Sequence, residues 1–238
     1  MHLPSPLAVY PLDDTRKRTD ISGERNPPAN LGKVTYGEGP DGRQYGSTQF
    51  SGRSDSYVEV PNTGKLDPKY SITVLVDAYK ERRSSGCILS YNSAGKGFQV
   101  RIISPRRLEV EMFERKRRTR FSLRTSKRVI EDKAWNSIGV TYSEKSQKLT
   151  IWVNAEAVAF KASGKVQLDT KYPIRLGSCG RGKYFRGRLF CLQLYGVALS
   201  GKQMKEARKK CFLKGKNVFS LLTVFSLRIV VVLFHGNR

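Results

Sequence analysis

The segment from Trp135 to Asn154 constrains this chain more than any other. Trp-Asn-Ser-Ile-Gly-Val-Thr-Tyr is followed by a polar stretch and then by Leu-Thr-Ile-Trp-Val-Asn. Ile138, Val140 and Tyr142 alternate onto one face, as do Leu149, Ile151 and Val153, and the solvated residues Ser143 to Lys148 form a turn between them. The pattern is that of an antiparallel hairpin with one buried face. A chain built around such a unit reads as a sandwich of strands rather than as alternating helices and strands.

The flanking sequence carries the same cadence. Asp20-Ile-Ser-Gly23, Asn26-Pro-Pro28, Gly37-Glu-Gly-Pro-Asp-Gly42 and Gly46-Ser47 break the first fifty residues into pieces too short for helices. Leu7 to Tyr10 reads as a first strand. Strand-like alternation recurs at Tyr57 to Val60, Ile72 to Ala78, Cys87 to Tyr91, Phe98 to Ile103, Leu108 to Phe113 and Arg120 to Leu123. It returns after the hairpin at Ile174 to Leu176 and Arg188 to Tyr195. The chain has 238 residues, a length that one all-β domain commonly fills.

One helix is expected, late in the chain. Ser200 and Gln203 have capping-box spacing, and Met204, Ala207 and Cys211 recur at helical intervals. The four cysteines, Cys87, Cys179, Cys191 and Cys211, have no zinc-site spacing, and the two histidines, His2 and His235, lie at the ends of the chain. Disulfides are therefore expected, with an oxidising compartment. If Cys191 lies on the strand before the helix, the helix folds back and brings Cys211 beside it. A Cys191–Cys211 bridge is expected on that basis, with Cys87 and Cys179 as the residual pair.

The domain is expected over residues 7–212. Residues 213–238 differ in character: Asn217 to His235 is mostly Val, Leu, Phe and Ile, interrupted by Arg228. The length approaches that of a membrane span, but an arginine in mid-span costs about 2.5–3.5 kcal/mol on insertion scales. An added strand or an extension outside the domain is the other reading. The first residues show no basic region followed by a long apolar run, hence no recognisable signal peptide. With extracellular cysteine chemistry, this suggests a fragment or an incomplete gene model.

The hairpin resembles the paired strands of laminin G-like domains in the concanavalin A-like superfamily, where a Trp opens one strand and an Asn-Gly or Asn-Ala turn closes the next. Tyr10-Pro-Leu-Asp-Asp14 with Asp20-Ile-Ser-Gly23 resembles the opening of the pentraxin-related subgroup. Gly39-Pro-Asp-Gly42, Phe50-Ser-Gly52, Ser56-Tyr-Val-Glu-Val-Pro61 and Ser71-Ile-Thr-Val resemble the strands that follow. Ile174-Arg-Leu-Gly177, Tyr184-Phe-Arg-Gly-Arg-Leu189 and Leu194-Tyr-Gly-Val-Ala-Leu-Ser200 resemble its closing strand and the turn into a short helix. The resemblance implies an all-β jelly roll of two antiparallel sheets with one short helix near its end. It also implies a binding or adhesion module for glycans, proteoglycans or cell-surface proteins, often with calcium at a loop edge. Candidate calcium ligands on the early loops are Asp13, Asp20 and Asp55.

Charge narrows the partner. The formal net charge is +24, which favours polyanions. No nucleic-acid recognition motif is present, and a disulfide-bearing sandwich belongs to the wrong compartment for nucleic acid. The densest cationic run is Arg115-Lys-Arg-Arg-Thr-Arg120, continuing through Arg124. As a strand it would set Lys116, Arg118, Arg120 and Arg124 on one face about 6.5–7 Å apart, with Phe121 and Leu123 as anchors on the other. Sulfates on an extended glycan could meet that ladder, since arginine suits bidentate contact with such oxyanions.

An enzyme reading has one foothold. Glu109-Val-Glu-Met-Phe-Glu114 resembles the acidic strand motif of retaining glycoside hydrolases of the same jelly-roll fold, with Glu109 and Glu114 as candidate carboxylates. Retaining chemistry needs two carboxyls about 5–5.5 Å apart, a separation that Glu109 and Glu111, on one face of a strand, could approach. The middle position is Glu where those hydrolases carry Asp, and glutamates paired with nearby arginines are the alternative. With histidines only at the ends, a Ser/His/Asp or Cys/His centre inside the fold is not expected. The expectation is a non-catalytic module.

Overall fold

The computed structural model of the chain describes residues 2–81, 84–91, 97–103, 106–117, 119–180, 182 and 184–212. The tail 213–238 and Arg118 lie outside the described residues. Among the described residues, no helix is long and apolar enough to cross a membrane.

Two antiparallel sheets face each other. The first runs in the order β13 (Glu156–Ala162), β12 (Lys148–Val153), β11 (Trp135–Ser143), β6 (Ser71–Lys80), β15 (Arg186–Tyr195), β4 (Ser47–Ser51) and β3 (Thr35–Gly37), and β1 (Ala8–Tyr10) also pairs with β15. The second runs β10 (Arg120–Arg124), β9 (Arg107–Phe113), β8 (Gln99–Ile103), β7 (Gly86–Tyr91), β14 (Ile174–Leu176), β5 (Val58–Val60) and β2 (Asn30–Leu31). This is the expected jelly-roll sandwich.

Alternation decides which side chains fill the space between the sheets. In the hairpin, Ile138 lies opposite Val153, Val140 opposite Ile151 and Tyr142 opposite Leu149, and all six are buried in the main core. Ile72, Val74, Val76 and Ala78 on β6 join them, facing Val100 and Ile102 of β8 and Leu108, Val110 and Met112 of β9 across the sandwich. Each Val, Leu, Ile or Met among these stabilises the fold by roughly 1.5–3 kcal/mol through burial. Asn154 and Ala155 join β12 to β13, with φ of 52° and 65°, the left-handed pair that a two-residue hairpin turn requires.

Strand β15 breaks its own alternation once. The register against β6 shifts between Phe190 and Gln193, and Cys191 takes a φ of 57°. The bulge lets Leu189 and Leu192, three apart, both enter the core. It also leaves Cys191 packed with Val9, Phe190 and Cys211 on the other side of the sheet. Helix α1 (Gly201–Arg208) starts there: the Ser200 hydroxyl accepts from Gln203 N, and Gln203 Oε1 accepts from Ser200 N at 2.9 Å, closing the capping box. Its Met204 and Ala207 pack on Leu75 and Tyr195.

Both expected disulfides form, Cys191–Cys211 with Cα atoms 5.7 Å apart and Cys87–Cys179 with Cα atoms 5.4 Å apart. Their sequence separations of 20 and 92 correspond to about 3 and about 4.5 kcal/mol of loop-closure entropy removed from the unfolded chain.

Candidate functional site

The glutamate and arginine segments meet on the outer face of the second sheet. Leu108, Val110 and Met112 of β9 point into the core, so Glu109 and Glu111 point outward. In register with Glu109 stand Arg101 on β8 and Arg124 on β10. Arg101 Nη2 bridges the two carboxylates, bonding Glu109 Oε2 and, at 2.9 Å, Glu111 Oε1. Arg124 Nε donates to the other oxygen of Glu109, and Arg120 Nη1 lies 3.6 Å from Glu111 Oε1.

Burial separates the members of this network. Glu109 and Glu111 are buried, whereas the side chains of Arg120 and Arg124 on the edge strand are 63% and 66% exposed. The carboxylates are therefore neutralised from below by Arg101 and from the rim by two arginines that keep most of their surface in water. Beside them, Ser85, Gly86, Arg101, Ile102 and Glu109 help to line a cavity of about 250 Å³.

The cationic ladder is shorter than the sequence suggests. Strand β9 ends where Glu114 N bonds Thr119 O, and Lys116 sits exposed in the turn 115–117. Strand pairing resumes only at Arg120, so Arg120 and Arg124 share a strand face while Lys116 stands at the turn. Arg118 is outside the described residues. Phe121 packs against the core and Leu123 is buried within it, as the anchoring pattern requires.

The candidate hydrolase pair is not assembled. Glu109 and Glu114 are five residues apart, an odd separation that sends them to opposite faces of a strand. Both oxygens of Glu109 are also taken up by guanidinium groups. Glutamates paired with arginines is the arrangement found.

The three candidate calcium ligands are held apart. Asp13 is buried and engaged by Arg16, whose Nη2 lies 2.5 Å from Oδ2, with Arg43 Nη2 at 3.6 Å. Asp20 accepts from Val9 N at 2.8 Å, from the Ser22 hydroxyl at 2.7 Å and from Asn26 Nδ2 at 2.8 Å. Burial pushes its carboxyl up, but these hydrogen bonds and that of Ser22 N outweigh burial and hold it below the usual range. Asp55 pairs with Lys33 at 3.1 Å and Arg53 at 3.6 Å. Among the described residues, no three His, Cys, Asp or Glu side chains gather as a metal site would need.

Nothing in the sequence singles out Arg101, which lies within an expected strand. Its bridging role depends on the register of β8 against β9, and the only local signal was a charged residue between Val100 and Ile102.

A family model described as Concanavalin A-like lectin/glucanases superfamily, of the laminin G kind, matches residues 51–205. The chain belongs to that superfamily. No curated protein matches the sequence. Among solved structures, it is similar to the binding domain of Paraclostridial Mosquitocidal Protein 1, with a TM-score of 0.68 and 15% identity over 85% of this chain and 51% of that one. It is also similar to the botulinum neurotoxin serotype D ligand binding domain in complex with N-acetylneuraminic acid, with a TM-score of 0.65 and 14% identity over 87% of this chain and 51% of that one. The serotype G binding domain gives a TM-score of 0.63 at 13% identity, over 84% of this chain and 50% of that one. The likeness at these identities is one of fold, and the chain spans about half the length of these structures.

Proposed function

We propose that the chain is a non-catalytic extracellular binding module that takes acidic or sulfated glycans, or cell-surface proteins bearing them, at the rim formed by β10 and the turn before it. The observation that carries this reading is the exposure of Arg120 and Arg124: both project from an edge strand, near the exposed Lys116, with most of their surface in water. The hydrogen bond of Arg124 to Glu109 fixes where its guanidinium sits, so less side-chain freedom is lost there when an oxyanion docks, while Arg120 stands beside Glu111 at ion-pair distance only. Arg101 supplies the second counter-charge to the glutamates, which leaves the rim with a positive surplus. Two disulfides fit an oxidising compartment. Membership of a lectin and glucanase superfamily supports a sugar as the ligand class. The complex of a structural relative with N-acetylneuraminic acid supports an acidic one.

Such a contact weakens as salt screens it. Replacing Lys116, Arg118, Arg120 and Arg124 by Ser should bring elution from a heparin column to markedly lower salt, with the thermal transition retained. Elution at unchanged salt would refute the rim as the contact.

A further inference from the structure

The first sheet carries a second arrangement on its outer face, remote from β10 in the strand order. Trp135 on β11, Tyr79 on β6 and Arg188 on β15 occupy one cross-strand row, since Trp135 pairs with Tyr79 and Tyr79 with Arg188. The two rings lie 5.7 Å apart at 60° to each other, and the Arg188 guanidinium sits 3.9 Å over Tyr79 and 5.5 Å from Trp135. All three side chains are half-buried; Trp135 packs part of its ring on the cluster of Val9, Phe190, Cys191 and Cys211, and each of the three keeps some surface in solvent.

Arg188 is held in place. Its stem passes Gly37, where an added Cβ would come within 2.9 Å of Arg188 Cδ, and its Nη1 donates to the Glu38 carbonyl at 2.6 Å. That carbonyl is the one hydrogen-bond partner of its guanidinium among the described residues, and no carboxylate there lies within ion-pairing distance of it. Arg186, two residues earlier on the same face, is exposed and likewise has no ion-pair partner among the described residues. Arg208, at the far end of α1, is already committed to Asp77. A preorganised guanidinium with N–H groups to spare, stacked in an aromatic corner and next to a second cation, has the chemistry of an anion receptor with an apolar wall.

We infer that this corner is a second ligand site and that it takes a carboxylate-bearing pyranose: the planar carboxylate on the Arg188 fork, the sugar's C–H face against Trp135. It is distinct from the β10 rim, and a failure at one leaves the other standing.

Two tryptophans make the test direct, because Trp152 is set apart with its Nε1 donating to Thr141 Oγ1 at 3.0 Å. The indole N–H signals, assigned with Trp135→Phe, would be followed by NMR during titration with a glucuronic acid-terminated disaccharide and with its neutral glucose-terminated counterpart. The expected result is that only the acidic sugar shifts the Trp135 signal. Arg188→Leu should weaken that binding at least about tenfold, as befits loss of a charge-assisted contact. Arg188→Lys, which keeps the charge without the fork, should fall between. The Lys116/Arg120/Arg124→Ser variant should bind the disaccharide as the parent protein does. Absence of a Trp135 shift, equal shifts with the neutral sugar, undiminished binding by folded Arg188→Leu or Arg188→Lys, or lost binding in the rim variant would each overturn the inference.

Discussion

Arg208, on the last turn of α1, places its Nε 2.7 Å from Oδ2 of Asp77 at the middle of β6. The contact ties the helix to the sheet beyond what Met204 and Ala207 supply. Asp77 is otherwise an expensive residue to bury on the outer face. Burial pushes its carboxyl above the usual range, and the Arg208 charge, with hydrogen bonds from Arg208 and the Ser137 hydroxyl, offsets that only in part.

The direction of the shift fixes a pH dependence. A carboxyl raised in the folded state binds its proton more tightly there than in the unfolded chain. Its contribution to stability is therefore full below the ordinary carboxylate value of about 3.9 and is lost as pH rises through the folded value. Asp77→Asn keeps an oxygen that can accept from Arg208 and does not titrate. In urea denaturation at a series of pH values, the stability of the parent relative to Asp77→Asn should fall as pH rises above about 4. A constant difference would show that Asp77 titrates as it does in the unfolded chain.

Asp20 behaves in the opposite sense. Its carboxyl is held low by the net effect of its hydrogen bonds, so its stabilisation is present above the ordinary carboxylate value and is lost as pH falls through the depressed one. It also fastens β1, through Val9 N, to the turn at Ser22 and Asn26. Asp20→Ala should cost about 2 kcal/mol or more near neutral pH, the scale of hydrogen bonds to a charged group. The deficit should shrink in acid. A loss below 0.5 kcal/mol, roughly the range of an ordinary surface substitution, would assign the turn's stability elsewhere.

The parts of the fold that were legible in the sequence are those specified by neighbours along the chain. The hairpin of β11 and β12, the capping box at Ser200 and the fold-back that joins Cys191 to Cys211 each rest on local spacing. Strand β13 is not legible because Glu-Ala-Val-Ala-Phe-Lys-Ala is largely exposed and lacks an apolar and polar alternation. Pairing with β12 defines it instead. The site was legible only as an anomaly of charge. Which arginine meets which glutamate depends on strand register, and the row of Trp135, Tyr79 and Arg188 draws on residues more than fifty positions apart. Lys116 departs from the expected ladder because a run of cations looks the same whether or not a turn interrupts it.

The turn between β12 and β13 holds a removable strain. Ala155 has a φ of 65°, and left-handed backbone costs a residue with a Cβ roughly 1–2 kcal/mol. The methyl group is half-buried against the α1 cluster and recovers some of this. Ala155→Gly removes the strain, so a net gain of up to about 1 kcal/mol is expected. Thermal denaturation is a sufficient measurement, and a lower melting temperature would mean that the methyl packing outweighs the backbone term.

The Glu109 network makes the sharpest energetic claim, because its two arginines differ in burial while contacting the same carboxylate. Arg101 is largely buried and bridges Glu109 to Glu111, so Arg101→Leu leaves two buried like charges facing each other with only the rim arginines to screen them. Breaking a buried pair in this way costs about 3–5 kcal/mol. Arg124 meets Glu109 from the rim with 66% of its side chain exposed, and its removal leaves Arg101 in place, so Arg124→Leu should cost no more than about 1 kcal/mol. Adding Glu109→Gln to Arg101→Leu should recover most of the larger loss, since the orphaned charge goes with it. Chemical denaturation of the three variants tests the order directly. Equal losses for Arg101→Leu and Arg124→Leu would show that the rim arginine is structural, which would leave it less free to serve a ligand.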